Sequence, residues 1–450
     1  MRLSCFKIIV IFFLSTVMYN PVFSQGPMAP GEYTSSNKKA IRYIKEARQA
    51  FELKNDVLAE KNFKKALDED NNFIEAALGL ANLYQVTIRH PEAIQYFNEA
   101  IRINPKFWPN SFYFLSQSYL ATGDYAQAKS SLQTFLKFER INPDTKDNAQ
   151  RLLANAEFGT EAVKNPQPFN PINAGSGINT ALNEYFPAVT ADGKQFLFTR
   201  GVKVPEFPDY ENEDFFISRK QNNVWETAKP IREVNSQGNE GAPTLSADGS
   251  IMFFASCANE FGDYGSPDRK GYGSCDIFYS QKINGTWTRP RNAGSAINTA
   301  QWETQPSFSS DGRTLYFIRG MRGRSGIKDQ DIYMSTLSEE GKFSVAVKIS
   351  SVVNTPGKEE SVFIHPDNQT LYFSSDGHPG MGNLDIFMSR RTPQGDWGTP
   401  VNLGYPINTF NDENSLLVDP AGNLAFFASD RQGGEGGLDI YHFELPEAMR

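Results

Sequence analysis

Between Phe169 and Arg450 one phrase recurs five times, and few folds can be built from it. Each copy runs from a glutamate to an Asp-Gly-like turn eight residues later. An aromatic strand follows, then a loop, Asp-Ile-Phe/Tyr, an aromatic-containing strand and Ile-Asn-Thr. Glu184, Glu240, Glu303, Glu359 and Glu413 align without a gap to the turns Asp192-Gly193, Asp248-Gly249, Asp311-Gly312, Asp367-Asn368 and Ala421-Gly422. Each unit therefore supplies an inner strand, a hairpin turn, a second strand, a third beginning at Asp214, Asp276, Asp331, Asp385 or Asp439, and a fourth. Four short strands in a repeat of roughly 55 residues predict a β-propeller blade.

The phase of the repeat predicts how the ring closes. Five aromatic-to-Asn-Thr tails are present: Phe169 to Thr180, Trp225 to Ser236, Trp287 to Thr299, Phe343 to Thr355 and Trp397 to Thr409. The first tail precedes the first glutamate, and the fifth unit ends at Tyr441-His442-Phe443 with no tail after it. Phe169 to Thr180 should thus give the last blade its outer strand, covering an edge that would otherwise stay unpaired. The expected fold class is multidomain α and β, an N-terminal helical solenoid followed by an all-β five-bladed propeller closed by its N-terminal strand.

At 450 residues the chain is long enough for two domains with their own cores. Residues 1–24 carry basic Arg2 and Lys7, an apolar run from Ile8 to Val17 and a small residue at Ser24, the pattern of a cleaved secretory signal. A signal-anchored helix is the alternative. The run is short for a bilayer span, and no later segment approaches its length. Cys5 precedes the run, which disfavours lipid anchoring there. The net charge of −8 becomes about −10 once Arg2 and Lys7 are removed, which speaks against a nucleic-acid partner.

Residues 25–36 read as a flexible leader. Apolar spacings of three and four then mark helices over Asn37 to Leu53, Asp56 to Asp68, Phe73 to Ile88, Pro91 to Ile103, Trp108 to Thr122 and Tyr125 to Glu139. Ala66-Leu67 recurs as Ala100-Ile101, 34 residues on, and Gly123-Asp124-Tyr125 with Ala128 opens a second helix of the same kind. With Gly79, Leu80 and Tyr84, this resembles three tetratricopeptide repeats with a capping helix from about Asp144 to Val163, giving a helical domain over 37–163. Such a stack is curved, and Asn82, Tyr84 and Tyr113 are candidates for its groove, or else core residues. Residues 164–168 (Lys-Asn-Pro-Gln-Pro) are the expected linker, 169–445 the propeller and 446–450 a tail or the start of a further extension.

After the signal only Cys257 and Cys275 remain, one ending a predicted strand and the other starting the next. They are well placed for a disulfide in an exported protein, with two buried free thiols as the alternative. No histidine lies nearby to favour zinc. His90, His365, His378 and His442 are scattered, and no nucleophile–base arrangement emerges. Gly433 to Asp439 is similar to a calcium-binding glycine-rich nonapeptide, but it is one residue too long and stands alone, so a tight turn is the preferred reading.

Five-bladed propellers include glycosidases with paired carboxylates. Catalysis needs acids in different environments, whereas the five glutamates and five aspartates repeat in every unit. The glutamates are accordingly read as bonds between blades, or else as an acidic ring at the channel mouth able to hold a cation or basic segment. The aspartates are read as bonding nearby backbone N–H groups. No catalytic residue, metal ligand or cofactor site is assigned. The irregular loops Gly201 to Glu213, Ala258 to Ser274 and Gly320 to Gln330 are the candidate partner surfaces. The second offers Tyr264, Arg269 and Tyr272, and the third Arg319, Arg322, Arg324 and Lys328.

Pro306 to Phe317, reading Pro-x-x-Ser-x-Asp-Gly-x-x-Leu-Tyr-Phe, and the Asp-Ile-Tyr that follows resemble the WD40-like or TolB-like propeller repeat called PD40. Signal, tetratricopeptide array and this propeller, in that order, resemble the PorE-type Bacteroidetes envelope proteins connected with type IX secretion. The resemblance implies a non-catalytic periplasmic scaffold at the outer membrane that binds envelope or secretion-complex proteins. A glycan- or peptidoglycan-recognising propeller is the alternative, and a propeller hydrolase the third reading. Relatives of this kind continue into a carboxypeptidase-regulatory-like domain and an OmpA-like peptidoglycan-binding domain. The chain ends near Leu445-Pro446-Glu447, where that extension would begin, so peptidoglycan association is carried onto no residue.

Overall fold

The computed structural model describes residues 33–450 apart from 205, 206, 223, 260, 324, 325, 430 and 432. The expected signal, most of the leader and Arg324 lie outside the described residues. The chain forms two compact units, one holding the described residues up to Asn165 and the other Pro166–His378 with Asn383–Arg450.

The first unit is built from α1 (Lys38–Glu52), α2 (Asp56–Glu69), α3 (Ile74–Val86), α4 (His90–Ile103), α5 (Asn110–Leu120), α6 (Tyr125–Phe135) and α7 (Pro143–Ala162). Polar caps set where several of them start. Asn37 accepts from the N–H groups of Lys39 and Ala40, Asn55 from Leu58, Asp124 from Gln127, and Asn142 from Asp144 and Thr145. The 34-residue period is a packing rule: Ala66 and Ala100 are both buried, and Gly79 lets α3 close on Phe63. A Cβ at Gly79 would lie 2.3 Å from Phe63 Cε1. Among the described residues no helix is long and apolar enough to cross a membrane.

The turns between paired helices repeat as well. Lys54, Ile88 and Gly123 occupy equivalent positions with φ of 56°, 60° and 74°. Only glycine adopts this region without a steric penalty, and a β-branched residue fits it worst. Ile88 is half exposed and contributes little burial there. Ile88→Gly is therefore expected to stabilise the helical unit by about 0.5–1 kcal/mol. Thermal melting followed by circular dichroism measures it, and a lower melting temperature would contradict the account.

The second unit consists of antiparallel sheets laid down in chain order. The first repeat begins with Glu184–Val189, Gln195–Val204 and Phe207–Gln221, and Val224–Trp225 and Lys229–Pro230 both pair with the last of these on the outside. The second runs Asn239–Leu245, Ile251–Cys257 and Cys275–Ile283, flanked by Thr286–Trp287 and Arg291–Asn292. The third comprises Trp302–Phe308, Thr314–Gly323, Gly326–Thr336 and Val347–Lys348, and a parallel bridge from Trp302 to Cys275 joins it to the second. Glu359–Ile364, Thr370–Ser375, Asp385–Arg390 and Val401–Asn402 form the fourth. Leu417–Val418, Leu424–Ser429 and Asp439–Glu444 begin the fifth, and its outer strand is Ile172–Asn173, pairing with His442 and Tyr441.

Two expected loops are strands. Gln195–Val204 and Phe207–Gln221 stay paired as far as Val204 and Phe207, and Thr314–Gly323 and Gly326–Thr336 as far as Gly323 and Gly326. The segments read as loops over Gly201 to Glu213 and Gly320 to Gln330 are thus long β-hairpins. Continued backbone pairing gives each added residue its hydrogen bonds without further tertiary support.

Every inner strand also carries a bend that no shared residue type announces. Phe186, Ala242, Gln305, Ser361 and Ser415, each two residues after its glutamate, have φ between 48° and 59°. The ladder shifts register at this place in the first four units, as β-bulges do. These positions and the two residues after each line one cavity of about 50 Å³.

Candidate functional site

The recurring glutamates and the Ile-Asn-Thr tails are two halves of one joint. Thr180, Ser236, Thr299, Thr355 and Thr409, each four residues before a glutamate, donate their N–H to one carboxylate oxygen at 2.9–3.1 Å. Their hydroxyls donate to the other oxygen, at 2.6 Å for Thr180, Thr299 and Thr409 and 2.7 Å for Thr355.

The asparagine before each Thr or Ser reaches the other way. Asn179, Asn235, Asn298, Asn354 and Asn408 accept from the backbone N–H of Ile440, Phe215, Ile277, Ile332 and Ile386 at 2.8–2.9 Å. Each amide nitrogen donates back to the same residue's carbonyl at 2.8–3.1 Å. One tail thereby ties the third strand of its own sheet to the inner strand of the next. The asparagine was visible in all five repeats; its task was not.

Among the described residues, cations complete the joints of the first three repeats. Arg200 Nε donates to Glu184 and its Nη2 to Ile178 O, at 2.7 and 2.6 Å. Arg319 does the same to Glu303 and Ile297 O, both at 2.7 Å. Each arginine stands 16 residues after its glutamate, a position held by Ser256, Ser375 and Ser429 in the other units. In the second unit Arg269 arrives from the loop instead, donating to Glu240 and to Val234 O. Ser375 donates to Glu359 at 3.0 Å, and His378 Nε2 contacts Val353 O at 2.8 Å, the carbonyl that arginine takes elsewhere.

Burial pushes all five carboxyls upward, against the pull of the Thr or Ser donors and the arginines. Glu240 and Glu359 reach about 7. Glu413 reaches about 8, with Asp385 and Asp412 adding to the rise. Folded Glu413 thus keeps its proton up to about pH 8, while the unfolded chain releases it near 4.5. The folded state binds the extra proton between these values, so this group's contribution falls as pH rises from 5 to 8. Glu413→Gln, which mimics the protonated acid, should make stability less dependent on pH over that range. Urea melts at pH 5 and pH 8 measure this, and an unchanged difference between them would refute it.

These geometries locate the expected site residues. Glu184, Glu240, Glu303 and Glu359 are buried in the joints and Glu413 is partly buried, so they are bonds between sheets and not an open acidic ring. Asp276 accepts from the N–H groups of Tyr272 and Gly273, and Asp439 from Glu435, as expected. Asp214 and Asp331 bond to Asn212 and Lys348 side chains, because hairpins replace their loops. A disulfide joins Cys257 and Cys275, which also face one another in the ladder.

Several candidate surface residues are interior. Tyr264 and Arg269 are 3% and 5% exposed: the Tyr264 ring packs on Phe278, and Arg269 is bound to Glu240. Arg319 is held by Glu303 between the rings of Phe317 and Tyr333. Tyr272, Arg322 and Lys328 are exposed. Gln301 links the backbones of the two segments, its carbonyl accepting from Ser274 N–H and its side chain from Arg322 N–H. Asn82, Tyr84 and Tyr113 are buried rather than groove-lining. Tyr84 donates to Glu60 at 2.9 Å, and Tyr113 accepts from Asn148 at 2.6 Å while packing on Phe135. Sequence reasoning missed a further buried pair, Tyr185 donating to Glu213 at 2.7 Å, where burial holds the acid at about 7.

Paired helices closed through small residues at a fixed period define a tetratricopeptide-repeat domain. Residues 109–142, covering α5, α6 and the cap of α7, match the tetratricopeptide repeat family. Among solved structures the chain is similar to the TPR2B domain of yeast Sti1 in its pHsp70 complex, at 20% identity and TM-score 0.25, over 27% of this chain and 98% of that one. It is similar also to the Yersinia enterocolitica type III secretion chaperone SycD with a peptide of the translocator YopD, at 20% identity and TM-score 0.24, over 29% and 95%. The C-terminal TPR-containing domain of a Plasmodium falciparum FK506-binding protein gives 23% identity and TM-score 0.25, over 28% and 91%. No curated protein matches the chain.

Proposed function

We propose that this protein is a non-catalytic periplasmic scaffold, associated with the outer membrane, whose helical repeats and β unit each bind partner proteins of a type IX secretion or related envelope complex. The observation that carries the reading is the common use of the repeated acids. All five glutamates accept the same two bonds from the tail before them, so this recurrent set of carboxylates serves as mortar between sheets. A tetratricopeptide domain is a peptide- and protein-binding module by construction, since stacked helix pairs leave an extended concave face. A five-bladed propeller for the β unit is supported by the outer strand Ile172–Asn173 on the last sheet and by the cavity that equivalent positions of five inner strands line together. Export is supported by the signal-like residues 1–24 and by the disulfide, which persists in oxidising compartments.

Exposed Tyr272, Arg322 and Lys328 are the partner-facing residues of the β unit in this reading. The test is cross-linking capture from an envelope fraction with the whole chain, followed by mass spectrometry. Envelope proteins should be recovered, and fewer of them after Arg322→Glu with Lys328→Glu. Sedimentation with purified peptidoglycan in place of protein capture would favour glycan recognition. Turnover of a glycoside or peptide that is lost in Glu359→Gln alone would overturn the scaffold.

A further inference from the structure

We propose that the Cys257–Cys275 disulfide is a redox-sensitive lock on the buried Arg269–Glu240 pair, so that its reduction loosens the joint between the first and second β repeats. In the first and third repeats the cation of the joint sits on a strand, where the ladder holds Arg200 and Arg319 in place. The second repeat has Ser256 at that position and borrows its cation from the loop between the two cysteines.

Arg269 reproduces the missing arginine closely. Its Nη1 donates to Glu240, to Ser236 Oγ at 3.1 Å and to Ser256 Oγ at 3.3 Å, and its Nη2 donates to Val234 O. Val234 stands six residues before Glu240, as Ile178 and Ile297 stand before Glu184 and Glu303. Ser236 is the residue whose N–H and hydroxyl hold Glu240, so the guanidinium grips both sides of the joint. The loop lies on the same seam: Gln237 N–H donates to Gly265 O at 3.2 Å.

A loop side chain keeps such a position only while the loop is confined. The cysteines are 18 residues apart in sequence and form the last rung before the loop departs. Opening the bond leaves that rung to fray and gives the loop chain entropy that opposes the return of Arg269. The partner is a dithiol reductant. One of its thiolates attacks the sulfur of Cys257, the more exposed cysteine, and the S–S bond breaks with Cys275 leaving as thiolate and taking a proton. The second thiol then attacks the reductant's own sulfur in the mixed disulfide, releasing Cys257. The protein gains two electrons and two protons, and the dithiol becomes a disulfide.

The test is hydrogen exchange of the whole protein with and without dithiothreitol, read on peptides covering Ser236 and its counterpart Thr355. Reduction should speed exchange at Ser236 and Glu240 at least tenfold and leave Thr355 and Glu359 unchanged. Equal protection at Ser236 in both states overturns the proposal. A second measurement needs only thermal melting: the drop in melting temperature on reduction should be at least halved in Arg269→Met and unaltered in Arg322→Met. Equal drops in wild type and Arg269→Met, meaning that disulfide and arginine act independently, also overturn it.

Discussion

Replacing Arg319 with Met is expected to destabilise the β unit by about 3–5 kcal/mol at pH 8, the cost of leaving a buried charge without its partner. Methionine keeps apolar contact with Phe317 and Tyr333 but cannot donate to Glu303 Oε1 or Ile297 O, each 2.7 Å from the guanidinium. The penalty should shrink at pH 5. Burial already raises the Glu303 carboxyl, and without the arginine's opposing charge it rises further, so the variant protonates this acid readily in mild acid. Between the unfolded and folded values the variant binds more protons when folded, and its stability therefore falls more steeply with pH than the wild type's. Urea denaturation at the two pH values measures both effects. Glu303→Gln in the same chain should recover part of the loss at pH 8, because no charge then remains to be neutralised. A loss below about 1 kcal/mol at pH 8 would mean that the pair is not what holds this joint.

Asn179→Ala is the second large effect, at about 2 kcal/mol. Asn179 accepts from Ile440 N–H and donates to Ile440 O, both at 2.8 Å, and the two residues are 261 positions apart. Alanine leaves the buried Ile440 N–H without a partner, at about 1–3 kcal/mol, while Ile440 O keeps its bond from Ala174 N–H at 3.0 Å. Asn298→Ala breaks the same bonds to Ile277 only 21 residues away, where adjoining strands still hold the chain. The two variants should lose similar stability yet differ under limited proteolysis. Asn179→Ala weakens the hold of the outer strand on the last sheet and should be cut faster within Asp439–Glu444, whereas Asn298→Ala should resist there. Identical cleavage patterns would show that Asn179 does not fasten the end of the β unit.

Much of the scaffold was legible because its causes are local. The caps Asn37, Asn55, Asp124 and Asn142 stand at the helix starts read from apolar spacing, since a cap and the N–H groups it satisfies lie within three residues. The hairpin turns are likewise local: Gly193, Gly249, Gly312, Asn368 and Gly422 all have positive φ, and asparagine tolerates that region where glycine is missing. The bends at Phe186, Ala242, Gln305, Ser361 and Ser415 were illegible, because their backbone is imposed by neighbouring inner strands and no common side chain marks it. Loop Arg269 was misread for a related reason. Nothing within its own segment indicates that Ser256 leaves room for a guanidinium beside Glu240.

Period, turn chemistry and the phase of the tails are written along the chain, and from them come the helical pairs, the order of strands and the place of Ile172–Asn173 on the last sheet. These features depend on residues a few positions apart, or on one pattern repeated often enough to be read. Which cation meets which buried carboxylate was decided only by packing. Desolvation makes each buried glutamate seek whatever donor its surroundings bring near, a strand arginine in two units, a tethered loop arginine in another and serine in the fourth. That choice is made across the fold, between groups whose separation in sequence carries no trace of their meeting.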